Sequence, residues 1–143
     1  MNEKAFRTLE YNKIIDKLRE FAISPMGKEL CGELKPSVDI SEIERWQDET
    51  TEASAMIVRK GNIPLGGIRE IRPQLKRVLA GGSLNIEELM NINEFLYVCR
   101  KVKNYSVNEN KAESYKSIDG MFAAVELLPL LEKEISRCIV SEV

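Results

Sequence analysis

The chain has 143 residues, with 21 Lys and Arg against 23 Asp and Glu and a formal net charge of −2. That length suits one domain or a piece of one, and 43% hydrophobic with 31% charged residues is the balance of a folding globular chain, not a collagen-like or disordered one. The acidic balance excludes a strongly basic nucleic-acid-binding body, and the lack of histidine excludes Ser-His-Asp and Cys-His catalysis, histidine-ligated zinc and imidazole pH switching.

Cys31, Cys99 and Cys138 are odd in number, far apart and without CxxC spacing, and read as reduced thiols of a cytoplasmic protein. The opening residues have no apolar signal core. The longest apolar stretch, 123–131, is broken by Glu126 and Pro129, so no membrane segment is expected.

Helix follows helix along the chain, and no stretch reads as a strand. Tyr11, Ile14, Ile15, Leu18, Phe21 and Ala22 recur at helical spacing and predict a first helix over about 10–23. Ser24-Pro25 supplies an N-cap hydroxyl and a proline at the first helical position, opening a second helix to about Leu34 that buries Met26, Leu30 and Leu34. After Lys35-Pro36-Ser37 come two overlapping capping boxes, Asp39 with Glu42 and Ser41 with Glu44. Val38 and Ile43 flank the first as a hydrophobic staple, which favours Asp39. The third helix is expected to bury Ile43, Trp46, Thr50, Ala53 and Ile57 and to end near Gly61.

Residues 62–67 form a glycine- and proline-rich connector. Pro73 suits the first turn of a short fourth helix over about 72–80, which Gly81-Gly82 stops as C-terminal cap residues. Asn85 caps the fifth helix with Glu88 as box partner and Leu84–Leu89 as staple, ahead of the row Leu89, Ile92, Leu96, Cys99 and Val102. The polar stretch 104–117 is expected to be a mobile loop. Helical spacing resumes over 118–128, Pro129 kinks or restarts it, and Leu131, Ile135, Cys138 and Ile139 carry the stripe almost to Val143. No cap closes this last helix, which reads as a cut inside or just after an element. The expected fold is an all-α irregular bundle of about six or seven helices over residues 1–143.

Gly27-Lys28 is not a phosphate loop, because Ala22 stands where the motif needs its first glycine and Glu29 where it needs Ser or Thr. The acidic groups Asp48-Glu49-Glu52 and Glu87-Glu88 lie opposite apolar stripes and read as solvated faces, not as Mg²⁺ or acid–base sites. Arg100, Lys101 and Lys103 suit the C-terminal end of a helix dipole. Arg69, Arg72, Lys76 and Arg77 form the candidate nucleic-acid contact, against a bland alternative of solvated or internally paired cations. No catalytic, cofactor-binding or metal residue is assigned, and the binding expected of this patch is weak and salt-sensitive.

The segment Ser24-Pro25-Met26-Gly27, with Leu30, Leu34 and Pro36 and then the helix carrying Ile43 and Arg45 behind Asp39, resembles the start of the core or lever region of the MutS family of DNA mismatch-repair ATPases. Ile71, Leu75, Arg77 and Leu79 with Gly81-Gly82 look like the family's next core helix and its turn. The match is nearer to the bacterial MutS paralogues that lack mismatch-reading and connector domains, because Thr8 to Ile14 opens the chain so soon. The Phe-x-Glu of mismatch readers is absent.

This resemblance implies that the parent protein carries a helical lever, a dimerising P-loop ATPase using ATP and Mg²⁺, and a C-terminal Smr nuclease module. It further implies action on DNA, in suppressing homologous recombination, and on collided ribosomes. The matched positions in this chain are packing and capping residues. They imply a coupling segment without catalysis of its own, partnered by the remaining domains of the same chain in a homodimer. The rival expectation is an autonomous helical protein-interaction module, well capped and stable alone.

Overall fold

A computed structural model describes residues 3–107 and 115–139, and the described residues form eight helices and no strand. These are α1 (Glu3–Thr8), α2 (Tyr11–Phe21), α3 (Pro25–Glu33), α4 (Ile40–Lys60), α5 (Arg72–Leu79), α6 (Ile86–Ser106), α7 (Lys116–Ala123) and α8 (Pro129–Cys138). The all-α expectation holds. The additional element is α1, which a left-handed Glu10 at φ 51° separates from α2. Asn, Asp or Gly would have marked that joint in the sequence; a glutamate does not.

Local chemistry sets most boundaries. Ser24 Oγ accepts from the Gly27 amide at 3.0 Å with Pro25 at the first position of α3. A Cβ on Gly27 would stand 2.9 Å from that oxygen, so the residue keeps the cap open. Asp39 accepts from the amides of Ser41 at 2.9 Å and Glu42 at 3.3 Å and is the N-cap of α4, while its own amide bonds Ser37 Oγ at 3.1 Å instead of closing a box with Glu42. The expected staple does not form, because Val38 is 93% exposed. Asn85 and Glu88 make the full reciprocal box, at 2.9 Å each way. Beyond α5, the amides of Gly81 and Gly82 bond the carbonyls of Val78 and Arg77, both at 2.9 Å, with Gly81 at φ 84°; this is a Schellman ending.

The helices pack as two groups. In the first, α2 lies against both α1 and α3, and the Tyr11 hydroxyl donates to the Leu34 carbonyl at 2.8 Å. None of the described residues of these three helices is buried. In the second, α7 packs on α4 and α6, and α8 packs on α6. The buried side chains are Met56 of α4, Ile92, Val98 and Val102 of α6, Ile118 of α7, Ile135 of α8, and Ile71 just before α5. Ile71, Ile92 and Ile135 form one cluster, with Leu84 and Leu89 against it as the staple required.

Several expected burials differ. Leu30 and Leu34 are exposed and Met26 half-buried, since α3 ends beside an open cleft that Leu30, Leu34, Pro36 and Trp46 line. On α4 the fully buried residue is Met56, whereas Thr50 and Ile57 are exposed. The reason lies in α7, which packs on α4 and is tied to it at Glu52, one turn before Met56. On α6 the expected row misses Val98, which is completely buried. The polar stretch 104–117 is in part helical: α6 runs to Ser106 and α7 starts at Lys116, while 108–114 lie outside the described residues. The last helix ends at Cys138 with Ile139 as its non-helical C-cap, short of the expected run towards Val143, and residues 140–143 lie outside the described ones.

Candidate nucleic-acid interface

The four cations singled out by the sequence sit around α5. Arg69 precedes it in the connector, Arg72 opens it, and Lys76 and Arg77 occupy its last turn. Pro73 stands in the first turn, where a missing amide hydrogen leaves no hydrogen bond unmade.

Two of the four are internally paired. Glu70 accepts from the Arg72 backbone amide at 2.9 Å and from its Nε at 2.8 Å, and also meets its Nη2. The same Nη2 donates to Glu29 of α3 at 2.8 Å, so one guanidinium joins the first helical group to the start of α5. Hydrogen bonds from Arg72 hold the Glu70 carboxyl at about 2, and those carboxylates in turn raise the Arg72 pKa. Arg77 pairs with Glu88, which also accepts from the Asn85 amide in the capping box. This contact raises the Arg77 pKa and lowers that of Glu88. Gly82 is required here, because a Cβ would stand 2.7 Å from Arg77 Cγ and 3.1 Å from its carbonyl oxygen.

Arg69 and Lys76 are exposed and form no ion pair among the described residues. Three carboxylates, Glu29, Glu70 and Glu88, therefore answer four cations, leaving little net field to attract a phosphate backbone. The chemistry of α5 is chiefly that of a polar strut.

Other charged groups do something the sequence reading missed. Glu52 of α4 accepts from the amides of Ser117 at 2.8 Å and Ile118 at 3.3 Å and from the Ser117 hydroxyl at 3.2 Å, so a carboxylate from another helix caps the N-terminus of α7. At the other end Lys103 Nζ of α6 donates to the carbonyls of Phe122 at 2.9 Å and Ala123 at 3.0 Å. An anion at the N-terminus and a cation at the C-terminus is the arrangement the helix dipole favours. Lys60, at the end of α4, donates to the carbonyls of Tyr105 and Val107, each at 2.9 Å. Tyr105 answers with its hydroxyl, 2.7 Å from the Gly61 carbonyl, and burial pushes its pKa up so that it stays a donor. The C-terminal ends of α4 and α6 thus cap each other.

Glu52 is accordingly a cap, not a member of a solvated face as expected, while Glu88 is the box partner of Asn85 as expected and also pairs with Arg77. Lys103 serves α7 instead of its own helix end, and Arg100 pairs with Glu132 of α8 at 2.9 Å. Beside it, Arg100 and Lys101 each lie 5.2 Å from the Tyr97 ring centroid. Among the described residues no group of three or more His, Cys, Asp or Glu is placed to hold a metal. Gly27-Lys28 lies in the first turn of α3 with no strand ahead of it, so these residues do not fit an ATP–Mg²⁺ site. Among the described residues no helix is long and apolar enough to cross a membrane. Cys31 and Cys99 are half-buried and Cys138 is exposed, all as free thiols.

No protein-family model matches the chain. It is similar to curated proteins named endonuclease MutS2. Identity is 37% over 142 residues with that of Alkaliphilus oremlandii, 41% over 143 residues with that of Acetivibrio thermocellus, and 36% over 142 residues with that of Alkaliphilus metalliredigens. Each alignment covers 99% of this chain and 18% of the relative, so the chain spans less than a fifth of the proteins it matches. Through nearly its whole length, this chain is similar to one segment of those proteins.

Proposed function

We propose that this chain is the N-terminal core or lever segment of a MutS-family ATPase and nuclease, and that its own work is mechanical. It joins the remaining domains of the parent homodimer to a helical lever, so that their state and the engagement of DNA or of a collided ribosome bias each other. On DNA the outcome is suppression of homologous recombination. ATP and Mg²⁺ belong to other domains of the parent, and no catalytic step falls to residues of this segment.

The observation that carries this reading is α7, held at one end by Glu52 of α4 and at the other by Lys103 of α6. Coupling needs rigid helices with discrete arrangements, and a short helix clamped by polar contacts from two long ones is such a joint. A second observation supports a segment over an autonomous module. Leu127, Leu128, Leu130 and Leu131 all stand exposed around the start of α8, with Leu130 at 79%, an apolar face suited to cover by other parts of a larger protein.

Hydrogen exchange on the parent homodimer, alone and with branched DNA or ribosomes and with or without ATP, tests the proposal. Protection of the α7 amides is expected to change between states. A segment that exchanges identically in every state would sink it.

A further inference from the structure

Apart from the partly paired cations around α5, a second cleft carries cations without an ion pair. It opens where α1, α2 and α3 meet, has a volume of about 380 Å³ and is lined by Phe6, Arg7, Tyr11, Asn12, Ile15 and Lys35, among others, with no carboxylate among the described residues of its wall. Arg7 and Lys35 form no ion pair among the described residues, whereas the neighbouring Glu10 is engaged by Lys13. Phe6 and Tyr11 make a tilted aromatic pair with ring centroids 5.0 Å apart. The Tyr11 hydroxyl is anchored on the Leu34 carbonyl, which fixes that ring and satisfies the acceptor at the end of α3.

A cleft that brings an aromatic pair and two cations without an ion pair into one wall matches a ligand that is flat and apolar at one end and anionic at the other. Volumes of this size hold small molecules. Bases stack on aromatic side chains whatever their identity, and phosphates are held by Arg and Lys. We propose that the α1–α3 cleft binds a nucleoside phosphate unit, with the base against Phe6 and Tyr11 and the phosphate between Arg7 and Lys35. The inference goes beyond the coupling role and does not rest on it.

Titration calorimetry on the 143-residue chain tests this with AMP, adenosine, ribose 5-phosphate and a thymidine hexanucleotide. AMP should bind at least about tenfold more tightly than adenosine or ribose 5-phosphate, since stacking and charge act together. A hexanucleotide that binds more tightly than AMP, with a slope of log affinity on log salt near roughly −0.7 for the one neutralised phosphate, identifies a single strand as the source. AMP binding at least as tight as the hexanucleotide identifies a free nucleotide.

Arg7→Glu should weaken AMP by about tenfold, and Tyr11→Leu by a similar factor, while Tyr11→Phe, which keeps the ring, stays within about twofold of the parent chain. Arg69→Glu should leave AMP binding unchanged. No binding of AMP or the hexanucleotide overturns the proposal. So does equal binding of AMP, adenosine and ribose 5-phosphate, or binding that Arg69→Glu removes and Arg7→Glu does not.

Discussion

The two helical groups use opposite means of cohesion. From α4 onwards, helices enclose buried Met56, Val98, Val102, Ile118 and the Ile71–Ile92–Ile135 cluster, and charged side chains reach between helices to finish their ends. Among the described residues of α1 to α3 no side chain is buried, and beside the Phe6–Tyr11 ring contact the links are polar: Tyr11 to the Leu34 carbonyl, and Arg72 to Glu29 across to α5. A region without buried apolar contacts opens locally at low free energy. The first group should therefore exchange and unfold ahead of the second, although α2 and α3 are regular helices.

Substitutions can break this contrast at graded strength. Met56→Ala removes a fully buried side chain and should cost about 2–5 kcal/mol in denaturant unfolding. Glu52→Ala strips the cap from α7 and should cost about 1 kcal/mol, with the exchange of Ser117 and Ile118 amides rising first.

A pH titration sharpens the polar side of the comparison. Glu70 is held at about 2, below the ordinary 4.5, by hydrogen bonds from Arg72. A depressed carboxylate contributes stability that is complete above the ordinary value and is lost as pH falls through the depressed one. The link between α3 and α5 should thus loosen as pH drops from about 4.5 to about 2. In Arg72→Met the Glu70 carboxyl should titrate near 4.5 by NMR and that acid dependence should vanish. The smallest effect is expected from Leu30→Ala on α3, where the side chain is 67% exposed, with a change within about 0.5 kcal/mol. If Leu30→Ala cost as much as Met56→Ala, the division into two groups would be wrong.

Features determined by neighbouring residues were legible in the sequence. The Ser24 and Asp39 caps, the Asn85–Glu88 box and the glycine ending of α5 all act within a few positions, and each is present. Features that need a distant partner were not. Glu52 lies 65 positions from Ser117, and Glu29 lies 43 from Arg72, so neither the cap of α7 nor the Arg72–Glu29 link leaves a local trace, whereas Glu70 stands two positions from Arg72. The cations around α5 could be read from the chain, but that Glu29 and Glu88 offset Arg72 and Arg77 required the fold. The periodicity of α4 and α6 showed an apolar face without showing which residues on it, Met56 and Val98, would be enclosed.

The mutual capping of α4 and α6 gives the larger group the geometry of a pair of compasses. Each helix has 21 residues and is about 30 Å long, and the two are pinned where Lys60 and Tyr105 meet. The eight-residue α7 is a crossbar fastened to both near the pin. A turn of about 10° at the pin would carry the far end of a leg by about 5 Å, given the rise per residue of a helix. The same turn moves the crossbar's hold on α4 at Glu52, roughly 12 Å from the pin, by only about 2 Å, so a small shift there appears about two and a half times larger at the opposite end near Asp39.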